Sequence, residues 1–141
     1  MQFFQSEGYR TLAHTTFRVG VGTAFFTRGA QKLLGWFGGT DGNGATANLM
    51  SMYGAAGVIE FVGGLLVAFG LFTRLAAFVA SGEMAAAYFI VHVAGGSLFW
   101  WGNRGELAMV YCFAMLAISA FGAGPISADA VMSKGRSGDG R

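Results

Sequence analysis

Residues 54–94, GAAGVIEFVGGLLVAFGLFTRLAAFVASGEMAAAYFIVHVA, decide the fold of this chain. They contain two apolar runs separated by the short turn Phe72-Thr73-Arg74. A helix needs about 20 predominantly apolar residues to cross a bilayer, so the sequence predicts two antiparallel membrane helices over about 55–72 and 75–94. Each helix carries one carboxylate, Glu60 or Glu83. An ionisable residue inside a membrane segment is costly, which makes both of them functional candidates.

The composition of the whole chain is that of a membrane protein. Of its 141 residues, 54% are hydrophobic and 11% are charged, whereas soluble domains carry about 25% charged residues. Two further segments, 11–37 and 107–123, bring the predicted spans to four. We therefore predict an all-α, polytopic membrane protein, a four-transmembrane-helix bundle forming one domain over residues 1–131. A disordered basic tail is expected over residues 132–141. The net charge of +2 does not suggest a nucleic-acid partner.

The basic residues predict the orientation of the bundle. Arg10, Arg74 and the basic residues of the tail fall on one side of a four-span arrangement. The positive-inside rule then places both termini in the cytoplasm. The three tryptophans fall at the opposite interface, as expected for an aromatic belt: Trp36, Trp100 and Trp101. The predicted location is the bacterial inner membrane.

The polar residues of the first span lie on one face of its helix. At 100° per residue they fall within a stripe about 80° wide; they are Arg10, His14, Arg18, Arg28 and Lys32. This stripe cannot face lipid, so it is expected to face the bundle. Small residues on the second and third spans predict close helix contacts: Gly57, Gly63, Gly64, Gly70, Ala76, Ala80 and Ala87.

Residue depth predicts two polar layers inside the bundle. Arg18 and Glu83 are each about 12 Å from the cytoplasmic end of their spans at 1.5 Å per residue, which favours a structural ion pair between them. The outer layer is predicted to contain the ligand or partner contacts: Glu60, Arg28, Lys32, His92 and Glu106. Two of these residues also suit a structural role: His92 suits a hydrogen-bonded position in the bundle, and Glu106 suits a helix cap. No metal-ligand spacing is present, and Cys112 is the only cysteine.

Several motifs resemble the DoxX family. They are KLLGWFGG at residues 32–39, Glu60 followed by Gly63-Gly64, GLFTRLAA at residues 70–77, Asn103 with Gly105-Glu106, and GAGPISAD at residues 122–129. The resemblance implies a four-helix bacterial inner-membrane protein, and relatives include a membrane subunit of thiosulfate:quinone oxidoreductase. One departure is Arg28, where the family often has His before the glycine. Guanidinium stays charged, so Arg28 cannot exchange a proton as His does.

These observations favour an accessory or anchor subunit of a membrane oxidoreductase complex, without independent catalytic activity. A quinone is the candidate ligand, because Lys, Arg and His donate hydrogen bonds to carbonyls, and no cofactor motif is present. The expected partners are the lipid bilayer, other membrane or redox subunits, and a homo-oligomer. Two alternatives stay open: a small-solute or proton pathway that uses Arg18, Glu83 and Glu60, and a structural assembly factor.

Overall fold

A computed structural model describes residues 2–138, in which the regular secondary structure is helical and no strand occurs. The helices are α1 (Gln2–Gln5), α2 (Glu7–Leu34), α3 (Met52–Phe69), α4 (Thr73–Ala87), α5 (Trp100–Asn103), α6 (Glu106–Phe121) and α7 (Ala128–Gly138). A π turn at Tyr88–His92 and a 3-10 turn at Val93–Gly95 continue α4, and a 3-10 turn at Trp36–Gly38 follows α2. The predicted all-α class is confirmed.

Two helices are long and apolar enough to cross a membrane, Met52–Phe69 and Thr73–Gly95, while α6 is apolar but shorter. They correspond to the predicted second and third spans. The helix of the first span, α2, begins at Glu7 rather than at residue 11, because the Ser6 side chain accepts a hydrogen bond from Tyr9 N and caps the helix. It ends at Leu34, where Gly35 adopts a left-handed conformation with φ 69°. A complete four-span bundle remains a prediction.

Glycines bring α2 and α3 into direct backbone contact. A Cβ added to Gly29 would lie 2.2 Å from the backbone N of Phe61, and one added to Gly64 would lie 2.3 Å from that of Phe26. Larger residues would force the helices apart, since small residues are what allow membrane helices to approach this closely. The predicted close packing of the second span is therefore confirmed, with α2 as its partner.

The second helix pair, α4 with α6, contributes most of the hydrophobic core. Its buried residues include Ala76, Ala77, Ala80, Met84, Ala108, Met115 and Ile118, packed together with Phe25 and Val67 of the first pair. Ser81 ties the pair together, since its Oγ donates to the carbonyl of Cys112 at 2.9 Å. The bundle therefore consists of two closely packed helix pairs, α2/α3 and α4/α6.

Arg18 caps the C-terminal end of α3. One guanidinium nitrogen donates to the carbonyls of Val67 at 2.7 Å and Ala68 at 2.6 Å, and the other donates to Ile126 O at 2.8 Å. The last carbonyls of a helix lack intrahelical partners and attract a cation. The predicted pair of Arg18 with Glu83 is therefore wrong: backbone oxygens, not a carboxylate, hold the Arg18 charge.

The chain after α6 returns to the α3–α4 turn and is fixed there. Asp129 accepts hydrogen bonds from the backbone N of Phe72 at 2.8 Å and of Thr73 at 3.0 Å, at the start of α4. Arg74 in turn donates to the carbonyls of Ser119 and Ala120 in the last turn of α6. Charged side chains thus satisfy free backbone groups at three helix ends around this turn.

The predicted disordered tail is helical as far as Gly138. Ser127 caps α7, because its Oγ accepts from the backbone N of Ala130 at 3.2 Å. An acidic residue in the first turn, Asp129, also favours the helix start. The structure thus has a helix over residues 132–138, where a disordered tail was expected, and residues 139–141 lie outside the described part of the chain.

Gly29→Ala is expected to destabilise the protein by about 1–3 kcal/mol, because its methyl group would overlap the backbone of Phe61. Thermal melting in detergent measures this loss. Gly20→Ala is the matched control on the same helix, since an added Cβ there meets no atom within 4 Å. Equal melting temperatures for the two variants would contradict the close α2/α3 contact.

Asp129 makes the stability depend on pH. Burial acts to raise the pKa of Asp129, but hydrogen bonds from Thr73 and Phe72, together with the Arg18 charge, outweigh it and hold that pKa below its ordinary value. A carboxyl whose pKa is lowered by folding stabilises the protein above its unfolded pKa, about 3.9. That stabilisation is lost as the pH falls through the lower, folded-state pKa.

Asp129→Asn is therefore expected to lower the free energy of unfolding at pH 7 by about 1 kcal/mol and to flatten its decline below pH 5. Denaturant unfolding at several pH values measures both effects. Glu7→Gln is the control, because Glu7 is exposed and its carboxylate pairs with Arg10. A decline equally steep in Asp129→Asn and the wild type would refute the role of this carboxyl.

Candidate functional site

A cavity of about 760 Å³ lies between the α2/α3 and α4/α6 pairs. Most of its wall is apolar, and its polar residues are Arg28, Lys32, Tyr53, Glu60, Glu83, His92, Arg104 and Tyr111. Small-molecule sites are concave and mostly apolar, with a few polar groups that fix orientation, and have volumes of about 300–1,000 Å³. The cavity has the size and the lining of such a site.

A buried ion pair joins α2 to α3 at the cavity wall. Lys32 Nζ donates to Glu60 Oε1 at 2.7 Å, and the two residues are only 7% and 2% exposed. Gly57 leaves space for the lysine stem, since a Cβ at that position would lie 3.0 Å from Lys32 Cβ. The ammonium also lies 4.5 Å from the centre of the Tyr53 ring, at cation–π distance.

Glu83 lies in the same cluster as Glu60. The charges of Glu60 and Lys32 both act electrostatically on Glu83. Its Oε2 is buried without a hydrogen-bond partner among residues 2–138, and so is Oε2 of Glu60. The two carboxylates therefore line one cavity instead of lying in two separate layers.

The irregular end of α4 positions His92. Its Nδ1 lies 3.1 Å from the carbonyl of Asn103. Because a carbonyl oxygen only accepts hydrogen bonds, Nδ1 carries the hydrogen, and Nε2 of the neutral ring is then an acceptor. In the same segment, Tyr88 donates its hydroxyl hydrogen to Leu98 O at 2.6 Å. These bonds hold the π turn against α5 and the loop before it.

The structure brings together most of the residues predicted for the outer layer: Glu60, Lys32, Arg28 and His92 all line the cavity. Glu106 does not line it; it is exposed in the first turn of α6, the position of a helix-capping acid. Arg28 is exposed, and Nη1 donates to Gln31 Oε1 at 3.4 Å. Its charge still acts on Glu60.

Sequence reasoning missed four cavity residues: Glu83, which it assigned to the other layer, and Tyr53, Arg104 and Tyr111. Tyr53 carried a usable signal, because it lies seven residues before Glu60 and two helical turns place both on one face. Arg104 lies between α5 and α6, and Tyr111 belongs to α6. No helical spacing relates either residue to Glu60, so the sequence pattern did not indicate that they line the cavity. Within residues 2–138, no group of three or more His, Cys, Asp or Glu residues is arranged to hold a metal ion.

Comparison with known proteins adds a family and one relative. A family model described as DoxX matches residues 13–93, which include Lys32, Glu60 and Glu83. An uncharacterized protein from Haemophilus influenzae is 44% identical over 126 residues, covering 87% of this chain and 92% of that relative. No solved structure gives a significant match.

The Lys32–Glu60 pair is testable by a double-mutant cycle. Glu60→Leu alone is expected to cost about 3–5 kcal/mol of stability, because it leaves the Lys32 ammonium buried and unpaired. Lys32→Met with Glu60→Leu is expected to recover most of that loss, since an apolar pair of similar volume often replaces a buried ion pair. Thermal melting in detergent compares the variants. A double variant no more stable than Glu60→Leu alone would show that the lysine charge is not the cause.

Proposed function

Because the chain belongs to the DoxX family of membrane proteins, we propose that it is an integral membrane subunit that binds a quinone-type ring between its two helix pairs. In this role it is an accessory or anchor component of a membrane oxidoreductase complex. The observation that carries the proposal is the cavity itself, in which apolar walls lead to the buried Lys32–Glu60 pair.

The rim of the cavity suits a ligand that arrives from the bilayer. Several apolar residues of the lining are exposed, among them Met52, Val79, Ile90, Val91 and Leu107. In a membrane, exposed apolar side chains face acyl chains, so a lipid-soluble molecule reaches the opening without crossing water. An apolar ring with an isoprenoid tail matches this route, with its ring inside the cavity and its tail in the lipid.

The polar end of the cavity suits an oxygen-bearing head group. Lys32, Arg28 and Arg104 are donors, and Glu60, Glu83 and neutral His92 are acceptors. A head group that carries ring oxygens therefore finds hydrogen-bonding side chains at this end of the cavity. We assign electron transfer itself to a partner subunit, because the side chains of the cavity supply binding and proton-exchanging groups.

The proposal includes four membrane crossings with both termini on the cytoplasmic side of the bacterial inner membrane. Burial of Arg18 and Lys32, at 2% and 7% exposure, supports a crossing by α2, since neither charge then faces lipid. Arg74 at the α3–α4 turn and Lys134 in α7 supply positive charge on the cytoplasmic side. Labelling of single introduced cysteines in intact cells reads this orientation directly.

The alternative of a proton pathway receives less support from the contacts. It required Arg18 and Glu83 as an inner relay, but Arg18 is bonded to backbone carbonyls at the end of α3. Glu83 instead lines the same cavity as Glu60. The two carboxylates of the spans therefore share one cavity, an arrangement that favours binding.

Filling the cavity is expected to remove binding. Ala56 is half-buried and lines the cavity one turn before Glu60, so the ring of Ala56→Phe would occupy ligand space. We expect the dissociation constant of a short-chain ubiquinone to rise at least tenfold. It is measured on purified protein in nanodiscs by equilibrium filtration. Val58→Phe is the matched control on the same helix, because Val58 is exposed and outside the lining. Failure of the wild type to retain quinone, or equal loss in both variants, would refute the proposal.

A further inference from the structure

The deep part of the cavity has acceptor atoms that lack donors. Glu60 is 2% exposed, and its Oε1 binds Lys32 while its Oε2 has no partner. Glu83, on the facing wall, also has a buried Oε2 without a partner. Buried polar groups in proteins are nearly always hydrogen-bonded. Two unpartnered carboxylate oxygens in one cavity therefore indicate a ligand that donates hydrogen bonds.

His92 adds a third acceptor to this wall. Its Nδ1 hydrogen is used by the carbonyl of Asn103, which leaves Nε2 of the neutral ring with a lone pair. The residue lines the cavity together with Glu60 and Glu83. Acceptors on α3, α4 and the π turn therefore converge on the same space.

The cations near these acceptors do not satisfy them. Lys32 is engaged with Glu60 Oε1 and lies over the Tyr53 ring. Arg28 and Arg104 are exposed, and neither bonds the unpartnered oxygens of Glu60 and Glu83. The positive charges of Lys32, Arg28 and Arg104 already outnumber the negative charges of Glu60 and Glu83, so a cationic ligand is not required. A neutral molecule with hydroxyl groups fits better.

We infer that the cavity takes the reduced, dihydroxy form of the ring, a quinol, in preference to the quinone. This inference rests on the proposed function. Quinone oxygens only accept hydrogen bonds, so they would bring lone pairs against the lone pairs of Glu60 and Glu83. The two hydroxyl groups of a quinol donate and satisfy these oxygens. Glu83 is the residue that determines the preference, because Glu60 is held by Lys32.

The test compares the two redox forms of one ligand. Ubiquinone-1 and ubiquinol-1 are titrated anaerobically onto the full-length protein in nanodiscs, and their dissociation constants are expressed as a ratio. We expect the wild type to bind the quinol at least tenfold more tightly. Glu83→Gln places an amide donor on this wall, so this variant should bind the quinol more weakly and the quinone more tightly than the wild type does. The ratio of its two dissociation constants should therefore approach one.

The matched control is Glu106→Gln, which changes an exposed carboxylate outside the cavity lining and should keep the wild-type ratio. Equal or tighter binding of the quinone by the wild type would overturn the inference and leave the proposed function standing. Binding of neither form would overturn the proposed function as well. An unchanged ratio in a folded Glu83→Gln would overturn the role of Glu83. The wild-type ratio decides the redox preference even where that variant does not fold.

Discussion

The rest of the structure depends on the buried ion pair between Lys32 and Glu60. Neither charge is tolerated against lipid, so pairing them fixes how α2 and α3 are rotated about their axes. The pair needs the two helices in close contact. Gly29 meets the backbone of α3, and Gly57 leaves space for the side chains of Lys32 and Leu33. Since α2 and α3 are antiparallel, this register carries Arg18 to the far end of α3, where free carbonyls accept its hydrogen bonds. One constraint therefore places both buried cations.

Polar side chains have different hydrogen-bond partners at the two ends of the bundle. Around the α3–α4 turn, the charges of Arg18, Arg74 and Asp129 all meet backbone groups that helix ends leave free. That network also fixes the chain after α6, through the bond from Asp129 N to Gly70 O. In the cavity, by contrast, Glu60 and Glu83 keep buried oxygens without partners. Arg18 Nε and Thr73 Oγ1 are also buried without partners near the turn. What distinguishes the cavity is that its unpartnered atoms are carboxylate oxygens beside space for a ligand.

The sequence was sufficient to predict the two long apolar helices, Met52–Phe69 and Thr73–Gly95, and the grouping of Glu60 with Lys32, because apolar length and helical period determine both. It was not sufficient to predict the partner of Arg18, since every helix end offers carbonyls that composition does not distinguish. The sequence does not give the correct depth of Glu83, because hydropathy does not show where its span begins. The predicted span starts at residue 75, whereas α4 starts at Thr73. Measured from the turn at residues 70–72, Glu60 and Glu83 are almost equally far along their helices, and antiparallel neighbours then meet at one level. The helix over residues 128–138 was missed because its Ser127 cap lies before the basic tail.

Arg28 limits which groups of the cavity can exchange a proton. Its guanidinium remains charged at all relevant pH values, and the Lys32 ammonium is held by Glu60. Arg28 therefore contributes a fixed positive charge that acts on Glu60. Among the described residues, the carboxyl of Glu83 lines the same cavity without an ion pair. In the proposed site, Glu83 on α4 is therefore the group left to exchange a proton with a bound hydroxyl, while the cations of α2 compensate charge.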